Sequence, residues 1–135
     1  IAGFSYIGKD VLEEVISLFP WLNHRETLEY VNNSLFYLTV ARYEGLPLAV
    51  IEAMSLGKAI VASDVAGNKD CVQDGYNGRL IPLEKGAFVK AICELVEDKV
   101  KRDLYGNNSR ILFEREFLIT NRIQELEAIY QSVKL

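Results

Sequence analysis

Two short apolar segments with the composition of strands flank a short apolar helix, and this alternation constrains the fold most. Residues 35–40 and 59–62 are aliphatic, aromatic and β-branched, which is typical of buried strands. Between them, residues 47–56 read as a helix that Pro47 opens and Gly57 ends. Strands that alternate with helices through short connections predict an α/β fold, a parallel sheet with helices on both faces.

The flanking segments extend this alternation in both directions. Residues 1–3 read as a strand end with a glycine turn, and residues 11–19 carry a helical stripe of apolar side chains. Asn23 and Glu26 form a capping-box pattern that predicts a helix to about Asn32.

The second half continues in the same manner. Gly67 is expected to open a short helix that Asp74-Gly75 ends, and Asn77-Gly78 predicts a turn before a strand at 79–81. Residues 88–96 predict a further helix, and the last helix is expected to turn one apolar face to the core. That face consists of Ile119, Ile123, Leu126, Tyr130 and Val133.

Composition predicts one globular domain and excludes several functional classes. The chain has 135 residues, half of them apolar and a quarter charged, with a net charge of −4, which argues against nucleic-acid binding. The two cysteines and the single His24 follow no zinc pattern, and reduced cytoplasmic thiols are expected. No apolar run reaches membrane-spanning length, and no segment resembles a signal peptide. Because the chain opens on Ile1 and its only methionine is Met54, we expect a piece of a longer protein.

Two glutamates make residues 44–54 the candidate site. Glu44 precedes the helix, and Glu52 is the only charge within a helix that is apolar on all sides. A fully apolar helix is expected to be buried, and a buried carboxylate is costly unless it is paired or faces a cleft. Glu52 is therefore predicted to line a cavity.

The loop before this helix predicts an anion site. It follows a strand of a parallel sheet, and ligands bind beyond the carboxyl ends of such strands. Free amides of Gly45 and Leu46 and the helix dipole suit a phosphate, while Glu52 lies roughly 7.5 Å along the axis from Pro47. Carboxylates accept hydrogen bonds from vicinal hydroxyls, so a phosphorylated polyol such as a nucleotide sugar is the predicted ligand. The second loop, residues 64–68, would contact its far end.

Three segments resemble one enzyme family. Glu44-Gly-Leu-Pro-Leu-Ala-Val-Ile-Glu52-Ala-Met is similar to the E-x7-E motif of retaining GT-B glycosyltransferases, family 4, in their "glycosyl transferases group 1" C-terminal domain. The strand and loop at 59–67 and the Asp74-Gly-Tyr-Asn-Gly78 turn resemble the next segments of that domain, and the similarity fades after about Val96. The resemblance implies a Rossmann-like sheet, the C-terminal half of a GT-B fold.

The resemblance also implies roles for individual residues. Glu44 would be the catalytic-site residue that orients the donor hexose, and Glu52 would accept hydrogen bonds from the ribose. The backbone of Gly45, Leu46 and Leu48 would meet the diphosphate. Arg42, Ala66 and Gly67 complete the implied donor-binding set.

Activity and partners follow from the same resemblance. A hexosyl unit would move from a UDP- or GDP-sugar to a glycan or lipid-linked acceptor with retention, the leaving phosphate helping to deprotonate the acceptor. No metal and no cofactor besides the sugar-nucleotide substrate is implied. The full-length enzyme would be cytoplasmic, with peripheral association at the membrane face as an option.

The chain departs from the family pattern in several places. The basic pair that clamps the diphosphate and the N-terminal acceptor domain would both precede this chain, so residues 1–135 would be a partial domain without activity alone. Helices from about residue 99 would pack back on the N-terminal domain. Ala41 stands where serine is frequent, Ala66 where glycine is, and Asp70 where glutamate is.

Other interpretations remain open at this point. The chain could be part of a sugar-nucleotide epimerase of the same fold, or a non-catalytic α/β interaction module. Glu44 could cap the helix, Glu52 could be a structural acid paired with Lys58 or Arg42, and His24 is expected near a helix N-terminus without chemistry.

Overall fold

Three parallel strands in the order β1-β2-β3 form the centre of the molecule in a computed structural model that describes residues 16–133. The elements are α1 (His24–Asn33), β1 (Tyr37–Thr39), α2 (Leu48–Ser55), β2 (Ile60–Ser63), α3 (Ala66–Cys71), β3 (Gly78–Ile81), α4 (Lys85–Glu97), α5 (Lys99–Leu112), a π-helical turn (Phe113–Phe117) and α6 (Ile119–Ser132). The predicted α/β fold is confirmed. No helix in the described part of the chain is long and apolar enough to span a membrane.

The central strand explains why helices cover both faces of the sheet. All four residues of β2 are buried, and successive side chains of a strand point to opposite faces. Ile60 and Ala62 pack with Val50 and Met54 of α2, whereas Val61 packs with residues of α4 on the other side. The register places Val61 between Leu38 and Arg79. α2 and α4 therefore lie on opposite faces.

Helix α5 packs within this domain. Its buried residues are Tyr105, Gly106, Ser109 and Leu112, which join both apolar clusters and the turn before β3. Gly106 lies so close to the turn after α2 that a Cβ there would stand 2.3 Å from the Gly57 carbonyl oxygen. Gly57 has a φ of +66°, the left-handed conformation predicted for it.

Several expectations about the elements are wrong in detail. The strand predicted at 35–40 is limited to Tyr37–Thr39 and is only partly buried, because β1 pairs on one side alone among the described residues. Pro47 is the N-cap rather than the first residue of α2, and α3 ends at Cys71, before Asp74-Gly75.

The turn before β3 is also shifted from its predicted position. Gly75, with a φ of +76°, takes the left-handed position, whereas Gly78 is already in the strand. The strand needs glycine at 78 because a Cβ would lie 2.1 Å from the Ile60 carbonyl oxygen.

Predictions at the two ends of the chain have different outcomes. The capping box of Asn23 and Glu26 is confirmed. The strand end at 1–3 and most of the helix predicted at 11–19 lie outside the described residues, and residues 16–19 have no regular structure. The core-facing interpretation of the last helix is wrong, since no residue of α6 is buried. Among residues 16–133, the main contact of α6 is with the π-helical turn before it.

Candidate functional site

The loops after β1 and β2 meet at the carboxyl ends of their strands. The Gly67 amide donates a 3.1 Å hydrogen bond to the Glu44 carbonyl oxygen. A Cβ on residue 67 would lie 2.4 Å from the Gly45 carbonyl oxygen, so only glycine permits this approach. Ser63 at the end of β2 donates a 2.5 Å hydrogen bond to the Ala41 carbonyl oxygen, which links the end of β2 to the loop after β1. The two loops are thus one bonded unit.

A concavity of about 550 Å³ opens between these loops. Its lining includes four of the eight predicted donor-binding residues, together with Tyr43 and Val65: Arg42, Glu44, Gly45 and Ala66. The other four, Leu46, Leu48, Glu52 and Gly67, do not line it. Glu44 is partly exposed in it, and Tyr43 is exposed to 91%. A second concavity of about 530 Å³ shares Arg42 and reaches Lys85 at the start of α4. Arg42 therefore lies on the ridge between two open hollows.

The start of α2 supplies backbone donors. Within residues 16–133, the amides of Gly45, Leu46, Leu48 and Ala49 have no backbone or side-chain acceptor. No side chain caps α2, so the interpretation of Glu44 as a helix cap is wrong. Unpaired amides at a helix N-terminus carry partial positive charge, which suits an anion.

Glu52 differs from its prediction in burial and in partner. Its side chain is exposed to 39%, because α2 buries only Val50, Ala53 and Met54 and leaves its other side open. The carboxylate Oε1 accepts a 2.9 Å hydrogen bond from His24 Nε2. The predicted alternatives do not occur, since Lys58 donates instead to the carbonyl oxygens of Asn32 and Ser34.

Tyr37 connects the two glutamates electrostatically. Burial raises the pKa of its hydroxyl, and the charges of Glu44 and then Glu52 raise it further. Tyr37 starts β1 and packs beside the cluster of α2. Both carboxylates therefore lie within electrostatic range of the same phenol.

The remaining predicted residues divide into two groups. Leu46 and Leu48 are exposed and lie outside the lining of the concavity. Gly67 is buried and its amide is engaged by Glu44, so its contribution is the close approach of the two loops. Asp70 lines a separate hollow with Arg115 and Arg122, away from Glu44.

The Asp74–Gly78 turn is a structural unit. Asp74 Oδ1 accepts hydrogen bonds from Arg79 Nε at 2.9 Å and from the Leu80 amide at 3.0 Å. The buried Asn77 side chain accepts from the Gln73 amide at 2.7 Å and donates to the Cys71 carbonyl oxygen at 3.1 Å. These bonds set the entry of β3 without contributing to the concavity.

Sequence reasoning missed His24 as a partner of Glu52. The two residues lie 28 positions apart on different helices, and no local pattern links them. It also missed Asn68, whose Nδ2 donates to the Ser63 carbonyl oxygen at 2.8 Å below the loops. Only the packing of α1 on α2 and of α3 on the sheet reveals these contacts.

Comparison with known proteins identifies the family of this arrangement. Residues 6–111 match the family described as "Glycosyl transferases group 1". An Escherichia coli relative, "UDP-Gal:alpha-D-GlcNAc-diphosphoundecaprenol alpha-1,3-galactosyltransferase", is 28% identical over 120 residues, which are 88% of this chain and 30% of that protein. The chain spans 30–40% of the length of the first curated relatives that it matches.

Solved structures show the same fold. Sucrose-phosphate synthase from Thermosynechococcus elongatus superimposes with a TM-score of 0.79 at 22% identity, covering 92% of this chain and 33% of that one. Anabaena HepE in complex with UDP superimposes with a TM-score of 0.66 at 25% identity, covering 71% and 28%. The fold is thus the Rossmann-like α/β domain of GT-B glycosyltransferases. With most of its residues matched, the chain belongs to the glycosyl transferases group 1 family.

Proposed function

We propose that this chain is the donor-binding part of a retaining glycosyltransferase. It would take a hexosyl unit from a UDP- or GDP-sugar and transfer it to a glycan or lipid-linked acceptor. The observation that carries the proposal is the bonded pair of loops, which sets Glu44 and the unpaired amide of Gly45 around one concavity.

Names and bound ligands of similar proteins support the donor class. The Escherichia coli relative is named for a UDP-galactose donor and a diphosphoundecaprenol-linked acceptor. HepE has been solved with UDP and with UDP-glucose. These proteins share the family or fold of this chain, so a nucleotide sugar is the substrate class we propose.

Each element of the donor would meet one part of the site. The unpaired amides of Gly45, Leu46 and Leu48 would bind the diphosphate, and Arg42 at the rim would add a positive charge. Glu44 would accept hydrogen bonds from the transferred hexose, beside Ala66 and the loop that Gly67 holds in place. Glu52, half exposed further along α2, would accept hydrogen bonds from the ribose hydroxyls.

The transfer step would need neither a metal nor a protein nucleophile. Donors at the helix N-terminus stabilise the charge that develops on the leaving diphosphate. That phosphate would assist deprotonation of the acceptor hydroxyl on the same face of the sugar, which retains the anomeric configuration. Glu44 then orients the sugar without forming a covalent bond.

The acceptor would bind in the part of the protein that lies outside this chain. The exposed apolar face of α6, formed by Ile119, Ile123, Leu126 and Tyr130, would pack on that part. Helix α5, in contrast, packs on its own sheet, so the contact is assigned to α6. We further propose a cytoplasmic enzyme with peripheral membrane association.

Nucleotide binding by the full-length protein tests this proposal. Calorimetry with UDP and GDP should show binding of one of them, and Glu52→Gln should weaken it about tenfold, as loss of a hydrogen bond to a charged group does. Glu97→Gln is the matched control, because Glu97 is an exposed glutamate at the far end of α4, about 18 Å along the helix from Lys85. Binding of neither nucleotide would overturn the proposal and favour an interaction module.

A product assay separates transfer from epimerisation. The full-length enzyme with its nucleotide sugar should release nucleoside diphosphate only when an acceptor is present, and proton NMR of the product should show the donor's anomeric configuration. Glu44→Gln should lower kcat far more than it lowers nucleotide affinity, since Glu44 faces the sugar. Conversion of the donor to its epimer without transfer would replace the proposal by the epimerase alternative.

A further inference from the structure

A hydrogen bond between two helices holds the glutamate that we assign to the ribose. His24 is the first residue of α1, and its Nε2 lies 2.9 Å from Oε1 of Glu52 on α2. The imidazole is exposed to 70%, so it stands at the surface beside the carboxylate. The capping box of Asn23 and Glu26 starts α1 at His24 and so fixes the backbone from which the imidazole extends.

Among residues 16–133, no other side chain holds the Glu52 carboxylate. Lys58 is occupied by two carbonyl oxygens at the end of α1, and no arginine or lysine side chain bonds the Glu52 carboxylate. Oε2 has no hydrogen-bond partner in the same part of the chain. Within residues 16–133, the carboxylate is therefore held at one oxygen, and the other has no partner.

We propose that His24 is a positioning residue of the donor site, which holds Glu52 so that its second oxygen meets the ribose hydroxyls of a nucleoside diphosphate. The inference rests on the proposed function. An unrestrained glutamate side chain loses rotamer freedom when it binds a ligand, which lowers affinity. The hydrogen bond from His24 removes part of that freedom before binding. The pair also couples α1, which lies outside the E-x7-E segment, to α2.

A cycle between a protein variant and a ligand variant tests this role. In the full-length protein, dissociation constants of the nucleoside diphosphate that binds wild type, UDP or GDP, are compared with those of its 2′-deoxy form. His24→Ala should weaken the ribose form by about threefold to tenfold, within the range of coupling between contacting groups. It should weaken the 2′-deoxy form by a clearly smaller factor, because one of the two hydroxyls that Glu52 would accept from is absent.

Two variants control the experiment. His24→Gln replaces the imidazole donor by an amide donor and should restore affinity for the ribose form to within about twofold of wild type. Arg25→Ala changes the next residue of α1, which pairs with Glu29 on the helix surface, and should leave both affinities unchanged.

The possible outcomes separate the role of His24 from the proposed function of the chain. Equal losses for both forms in His24→Ala, or no loss in either, would show that His24 does not act through Glu52 on the ribose. If Glu52→Gln weakens binding and His24→Ala does not, the inference fails while the proposed function stands. If wild type binds neither nucleotide, both fail together.

Discussion

The Gly67 amide and the Glu44 carbonyl oxygen, 3.1 Å apart, join the two loops that shape the concavity. The contact places residue 67 so close to the first loop that a side chain would stand 2.4 Å from the Gly45 carbonyl oxygen. Glu44 therefore presents its side chain to the concavity while its backbone is held by the neighbouring loop. The position of the catalytic candidate depends on a glycine 23 residues later in the chain.

Gly67→Ala should disturb the site more than the fold. The added methyl group must push backbone apart, which costs about 1–3 kcal/mol of unfolding free energy in a packed region. Nucleotide affinity should fall about tenfold or more, since displacement of a positioning group by about 1 Å can cost about 100-fold in function. Calorimetric titration and thermal melting of the full-length protein measure the two effects. Wild-type affinity in a folded variant would contradict the coupling of the loops.

Gly106→Ala should destabilise the fold and leave the site intact. A Cβ at 106 would lie 2.3 Å from the Gly57 carbonyl oxygen, at the contact of α5 with the turn after α2. The clash costs about 1–3 kcal/mol and exceeds the helix-propensity gain of about 1 kcal/mol. Thermal or urea unfolding measures the difference.

Gly86→Ala is the matched control for Gly106→Ala. Gly86 lies in the first turn of α4, and an added Cβ meets nothing within 4 Å. The same chemical change should therefore stabilise the protein, by about 0.5–1 kcal/mol, through the lower chain entropy of the unfolded state. Equal effects of the two substitutions would show that the α5 contact is not tight.

Asn77→Asp should lower stability in a pH-dependent manner. The aspartate can still accept from the Gln73 amide, but it cannot donate to the Cys71 carbonyl oxygen while ionised. Loss of this donor at a buried position should cost about 3 kcal/mol or more near pH 7. The deficit should shrink toward about pH 4, where the protonated carboxyl can donate. Asn107→Asp, at an exposed position of α5, should show neither effect in urea unfolding.

The two cysteines should differ in reactivity. Burial raises the pKa of the Cys71 thiol from 9.0 to about 11, with a smaller contribution from Asp70, whereas Cys93 is exposed. Iodoacetamide at pH 8 should alkylate Cys93 and spare Cys71 until the protein is unfolded, because only the thiolate reacts. Mass spectrometry of peptides measures the sites. Alkylation of Cys71 in the folded protein at a rate like that of Cys93 would contradict this account.

The raised pKa of the Cys71 thiol also predicts a loss of folding stability at alkaline pH. Below pH 9 the thiol is protonated in both the folded and the unfolded protein, so its contribution to folding stability is fully present. Between pH 9 and about 11 the unfolded chain releases the proton and the folded protein retains it, so folding stability falls as pH rises. Cys71→Ser, which does not titrate there, should show a weaker decline in urea unfolding across this range.

Local rules of the sequence determined much of the fold. The alternation of apolar strands with helices predicted the parallel sheet, the capping box of Asn23 placed the start of α1, and Gly57 ended α2. Each depends on neighbouring residues, so a single sequence is sufficient to reveal it. The E-x7-E run predicted the family, and the match over residues 6–111 confirms it. Its assignment of Glu44 and Glu52 to sugar and ribose stays a prediction.

Tertiary structure alone decided which parts of these elements are buried and which residues meet. The helix of Glu52 is apolar in sequence, yet it packs on one side only, so the glutamate is half exposed and bonds His24. The apolar face of α6 looks like a core face and is open to solvent. Likewise, Gly67 reads as part of a donor loop, and only the folded chain shows that its missing side chain lets that loop reach Glu44. These contacts join residues far apart in sequence, and periodicity carries no information about such pairs.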